Sequence, residues 1–159
     1  MENQNLKELI KQGFAAMKAG SKIAAEATDE IQNDAKNEQL KSALKEGNEQ
    51  SKVWAQRIDQ GLEEAGGTAD QENEILKAHY KVSKEIRAEA KDDDTRDLGI
   101  ITSGQLAIHY WIAAFGTQVS YAEAAGLAQA QQAMQACLDE AKKADEKHTQ
   151  IAKSILSAN

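Results

Sequence analysis

Apolar residues recur along this chain at steps of three and four. Leu6, Ile10, Phe14, Met17, Ala24, Thr28 and Ile31 make one helical face, and the spacing predicts a helix over about residues 5–33. Leu40, Leu44, Gly47, Ser51, Trp54, Ile58 and Leu62 repeat the pattern over 38–65. Leu98, Ile101, Gly104, Ile108, Trp111, Phe115 and Val119 carry it over 95–122. The most regular seam runs from Leu127 through Met134, Cys137, Ala141 and His148 to Ile155, predicting a helix over 126–157. Such a narrow stripe is what helices crossing at shallow angles present to one another in a bundle.

Turn and cap signals punctuate these faces. Asn5 with Glu8 has the spacing of a cap and its reciprocal acid. A polar turn at 33–37 separates the first two helices, and Gly66-Gly67 stops the second. Thr68 followed by Gln71 predicts a capping box opening a shorter helix to about Ala90, with Ile75, His79, Val82 and Ile86 on its apolar side. Asp92-Asp93-Asp94 suits a helix start, where negative charge complements the dipole. Calcium is the other reading of that run. It lacks the alternating acids, central glycine and terminal Glu of an EF-hand loop. Short links make the helical pairs antiparallel. The 66–94 connection is long enough to cross the bundle once, as in ferritin-like topology.

Composition agrees with an all-α chain. There are 28 alanines, no proline and seven aromatic residues among 159, and no stretch has the apolar alternation of a strand. The length suits a single domain, residues 1–159. Nineteen basic against 26 acidic residues give a net charge of −7, which excludes a general nucleic-acid binder. One cysteine cannot form an internal disulfide. The first residues lack a signal-peptide pattern, and no run of 18 apolar residues is evident to span a membrane; a cytoplasmic protein is the expectation.

Several segments resemble the bacterial ferritin-like family of YciE and YciF proteins. The likeness lies in Leu6-Lys7-Glu8-Leu9, in Leu40-Lys41-Ser42-Ala43-Leu44 through Arg57-Ile58, in Ile108-His109-Tyr110-Trp111 through Thr117, and in Leu138-Asp139-Glu140-Ala141 through Lys147. The resemblance implies a four-helix bundle, a dimer, a carboxylate-rich metal centre and an association with stress responses. It also identifies departures. Ser21, Gln50, Trp54, Ile108, Trp111 and Ala141 stand where the family carries ligand residues, and Glu140 alone is retained. A di-metal bundle site needs inward carboxylates from each helix. The expectation is therefore a bundle without metal or cofactor, its centre filled by two indoles for which Ser21, Gly47, Gly104 and Ala141 make room.

The remaining chemistry is sparse. Asp145 and His148 lie one turn apart and, with Glu140, form the alternative metal-binding or oxidoreductase reading. His79 and His109 stand apart from other ligand types and suit surface or interhelical hydrogen bonds. Cys137 on the seam predicts a buried thiol with raised pKa, not a nucleophile. Gly20-Ser21-Lys22 has the wrong order for a phosphate loop and lies in mid-helix. No catalytic set emerges. Ile23 and Ile112 flank their stripes, which leaves apolar surface for a homodimer, and the expected role is non-enzymatic, through association.

Overall fold

A computed structural model describes residues 3–158. It contains α1 (Asn3–Asp34), α2 (Glu38–Glu64), α3 (Glu74–Glu89), α4 (Asp93–Ala125) and α5 (Ala128–Ser157), with no strand among the described residues. The four long helices form a ring in which α1 packs on α2 and α4, and α5 packs on the same two. Neighbours run antiparallel: Glu46 of α2 pairs with Lys147 of α5, whereas Glu64 reaches the amide of Ala130. The α2–α4 connection recrosses the bundle with α3 laid over α1 and α4, the one-crossover arrangement of ferritin-like bundles.

The helix ends are built as the polar signals suggest, with shifts. Asn37 caps α2 by accepting from the Leu40 amide. Asp92 and Thr95 make a reciprocal capping box, so the acidic run is a helix start and α4 begins at Asp93 rather than Thr95. Gly66 (φ 117°) and Gly126 (φ 73°) take the left-handed backbone that ends α2 and α4. Two expected caps fail. Asn5 lies inside a helix already under way at Asn3. Thr68 starts nothing, because α3 begins six residues later behind Asn73. That buried amide accepts from Leu76 N and donates to the Ala16 carbonyl and the Tyr110 hydroxyl, tying the crossover to α1 and α4 at once.

The face of α3 also differs from expectation. Leu76, Ser83 and Arg87 are buried, whereas Ile75 and Val82 are 69% and 48% exposed. Arg87 decides the rotation. Its guanidinium donates to Asp34, Glu30 and Ser83, and Leu76 packs where Gly20 of α1 has no side chain. A second buried charge, Asp97, accepts from the amides of Lys36 and Asn37 at 2.8 and 2.6 Å and clamps the α1–α2 turn to α4. Each carboxylate or guanidinium taken from water is met by several partners, which burial requires.

By hydropathy α4 contains an 18-residue window averaging 1.3, long and apolar enough to cross a bilayer by length and composition, although polar residues interrupt it and no run of 18 apolar residues occurs. In this fold the helix packs against α1, α3 and α5, with Ile100, Trp111 and Phe115 buried.

Candidate functional site

The apolar interior is two cores, not one. The larger joins the first half of α1, the second halves of α2 and α4 and the first half of α5, and includes Phe14, Trp54, Trp111, Phe115 and Met134. The smaller, around Leu40, Ile100, Ile101, Ile151 and Ile155, closes the other end. Between them α1 buries nothing from Ser21 to Asp34. Leu44, Gly47 and Ser51 of α2 likewise fall short of full burial.

This gap is a cavity of about 360 Å³ to which all five helices contribute. On α2 it extends from Ala43 to Trp54, about 16 Å at 1.5 Å per residue. The small residues therefore do something other than make room for indoles. A side chain at Gly47 would meet no atom within 4 Å, and one at Gly104 would touch only the His148 ring. Ser21 borders the same space, and only Ala141 packs within the larger core.

Trp54 and Trp111 do turn inward, at 7% and 6% exposure. Their rings lie 6.4 Å apart, and Phe115 stacks on Trp111 and meets Trp54 edge-on. Such clusters add to simple burial through ring-edge and ring-face complementarity. The indole N–H of Trp54 donates to Glu140 Oε2 at 2.8 Å. Arg57, one turn on from Trp54, donates to the same oxygen at 2.7 Å and lies 3.8 Å from Cys137 Sγ. This bond to Glu140 raises the Arg57 pKa above its ordinary value.

Of the positions that the resemblance pairs with the family's ligands, Ser21, Gln50, Trp54, Ile108 and Trp111 border the cavity. Among the described residues no group of three or more His, Cys, Asp or Glu is placed to hold a metal ion. Glu140, the acid that the resemblance pairs with a family ligand, already has an indole and a guanidinium on it. These donors do not fit a di-metal centre, which needs several free inward carboxylates.

The alternative ligands are separated. Asp145 accepts from Gln105 and lies 3.2 Å from the Nε2 of the exposed His109, an interhelical contact. His148 turns inward, with Nδ1 2.8 Å from the Ala144 carbonyl. His79 meets Tyr80 edge-on at the cavity wall; burial lowers its pKa and pushes that of Tyr80 up to about 12. Cys137 is fully buried, and desolvation pushes its thiol up to about 11, which removes its nucleophilic form at neutral pH.

Sequence reasoning did not find Arg57, Asn73, Arg87 or Asp97, nor Ser103, whose buried hydroxyl has no hydrogen-bond partner. Asp97 carried a usable signal, since it lies four residues before Ile101 on the α4 stripe. Arg57 carried a weaker one, one turn beyond Trp54.

Comparison with known proteins supplies the family. The chain matches the domain of unknown function DUF892 over residues 3–159. The Escherichia coli stress protein YciF has a similar crystal structure, with a TM-score of 0.91 and 22% identity over 97% of this chain and 98% of that one. YcfI from Rhodopseudomonas palustris is similar with a TM-score of 0.85 and 23% identity over 91% and 92%. No curated protein matches the sequence. The chain belongs to the DUF892 family, and its fold is the ferritin-like helical bundle.

Proposed function

We propose that this DUF892 protein is a metal-free, non-enzymatic member of its family that acts by association, as a cytoplasmic homodimer in a bacterial stress response. The observation that carries the proposal is the pairing of Glu140. Its carboxylate is held by Arg57 and Trp54, so a fixed cation and an N–H donor meet the charge that a metal would otherwise balance. By the resemblance, Trp54, Trp111 and Ala141 stand where the family carries ligands, and they offer no oxygen or imidazole there. The stress role rests on the likeness to YciF, which is described as a stress protein.

Association has a candidate surface. Ile75 and Val82 lie two turns apart on the outer face of α3, exposed and apolar. Metal analysis of protein purified without chelator tests the first part of the proposal. Substoichiometric iron, manganese and zinc are expected. A stoichiometric metal held by Glu140, Asp145 or His148 would instead revive the divergent metal-binding reading. Sedimentation at tens of micromolar protein tests the second part, since a competent interface is populated at that concentration.

A further inference from the structure

The cavity between the two cores is mostly apolar, and its carboxylates and ammonium groups all lie on the α2–α5 side. Trp54 and Trp111 bound one end and Ile100 the other, with Leu44 and Ile108 between them. Gly47 and Ser51 lie on the inward stripe of α2, yet both are exposed, so solvent enters between the helices there. An absent side chain keeps that mouth open, since a Cβ on Gly47 would meet nothing within 4 Å. An enclosed apolar cavity of about 150 Å³ already takes up benzene. This one holds about 360 Å³ and extends along α2 from Ala43 to Trp54, room for a chain rather than a single ring.

The charges on the α2–α5 side do not balance. Glu46 pairs with Lys147, and Glu140 with Arg57. Lys143 stands on α5 between those two contacts, three residues after Glu140 and four before Lys147. It borders the cavity, is exposed, and makes no ion pair among the described residues. A chain with a net charge of −7 thus presents an unmatched cation beside an apolar hollow. A ligand that answers both features carries an apolar body and one negative charge. Its charge would not be buried bare, because the exposed ammonium lets it keep part of its hydration while the body leaves water.

We infer that the cavity binds an elongated apolar monocarboxylate, of the free fatty acid class, with its carboxylate at Lys143 and its chain in the apolar space beside Trp54 and Trp111. The volume lies within the size range of small-molecule pockets. Chain burial supplies most of the affinity, and the lysine supplies the preference for an anion over a neutral molecule of the same length. The inference does not rest on the dimeric or stress-response readings.

The test is titration with decanoate followed by intrinsic fluorescence, since Trp54 and Trp111 are the only tryptophans and both border the cavity. A saturable change at one decanoate per chain is expected, and shorter acids should bind more weakly by about 4-fold for each methylene removed. Gly47→Leu fills the open mouth beside α2 and should abolish the change. That variant should melt at or above the wild-type temperature, because leucine replaces glycine in a helix. Lys143→Gln should fold as wild type does, its position being exposed. It should weaken decanoate binding about 2- to 5-fold, the range for a solvent-exposed ion pair, and leave binding of 1-decanol unchanged. Absence of a saturable decanoate change, equal binding of hexanoate, an undiminished change in Gly47→Leu, or an equal effect of Lys143→Gln on decanoate and 1-decanol would each overturn the inference.

Discussion

Arg57 and Trp54 donate to a single oxygen of Glu140, at 2.7 and 2.8 Å, so one carboxylate joins the middle of α2 to the middle of α5. The two donors are one helical turn apart and reach the acid from the same face of α2. Arg57→Ala should leave Glu140 with the indole alone. The pair is about one-quarter exposed, so solvent tempers the loss. A destabilisation of about 1–2 kcal/mol is expected in urea titration, in line with hydrogen bonds to charged groups. Arg57→Lys should recover only part of it, because an ammonium on a differently shaped stem does not reproduce the position of the one guanidinium nitrogen, Nη1, that meets both Glu140 and Cys137.

The indoles themselves should matter more. Trp54→Ala or Trp111→Ala removes a buried ring from a cluster of four, Trp54, Tyr110, Trp111 and Phe115, and enlarges a void that already exists beside it. The expected cost is roughly 3–5 kcal/mol each by equilibrium denaturation. Because both rings meet Phe115, the double variant should lose less than the sum of the single losses. A loss below about 1 kcal/mol for either would mean that the cluster does not hold the bundle centre.

The helical seams were legible because burial in a bundle imposes a period on the sequence, and the four long helices follow it to within a few residues. The rotation of α3 was not. Ile75 and Val82 supply one apolar stripe, and Leu76, Tyr80 and Ser83 supply another one residue out of phase. The choice between them is made by Arg87 meeting Glu30 and Asp34 some fifty residues away, which no local window contains. The centre was half legible. Two tryptophans on apolar stripes imply inward indoles. Whether the glycines and alanines nearby close against them or stand off depends on the α1–α2 separation.

Alkaline stability follows from Cys137. Burial raises its pKa from an ordinary 9.0 to about 11, so the folded state favours the neutral thiol. Its contribution is complete below pH 9 and is lost as the pH rises toward about 11, where the unfolded chain is already ionised. Melting temperature should fall across that window, and fall less steeply in Cys137→Ala. At pH 8 the native thiol should resist iodoacetamide until denaturant is added. Rapid native alkylation would contradict the buried placement.

The exposed face of α3 gives a surface prediction. Ile75→Glu and Val82→Glu place charge where the fold has water, so neither should change the melting temperature of the monomer by more than a few degrees. If the homodimer forms through this face, the double variant should sediment as a monomer at tens of micromolar, whereas wild type remains dimeric. A dimer that survives both charges would assign the interface to another face.

Metal addition separates a filled centre from a vacant one. A ligand raises stability only through preferential binding to the folded state, so excess iron, manganese or zinc should leave the melting temperature nearly unchanged. Restoring one acid should not change this. Trp111→Glu would put a carboxylate beside Trp54 and Phe115, where the Arg57 guanidinium is already paired with Glu140. The new acid would be buried without a partner, or would be protonated to avoid it. Trp111→Glu should therefore be less stable than Trp111→Ala at pH 7 and recover toward it as the pH falls through the carboxyl range. Calorimetry with and without manganese reads both effects. A manganese-dependent rise of several degrees in Trp111→Glu, absent from Trp111→Ala, would mean that one carboxylate is enough to rebuild a site, and that Arg57 yields Glu140 to a metal.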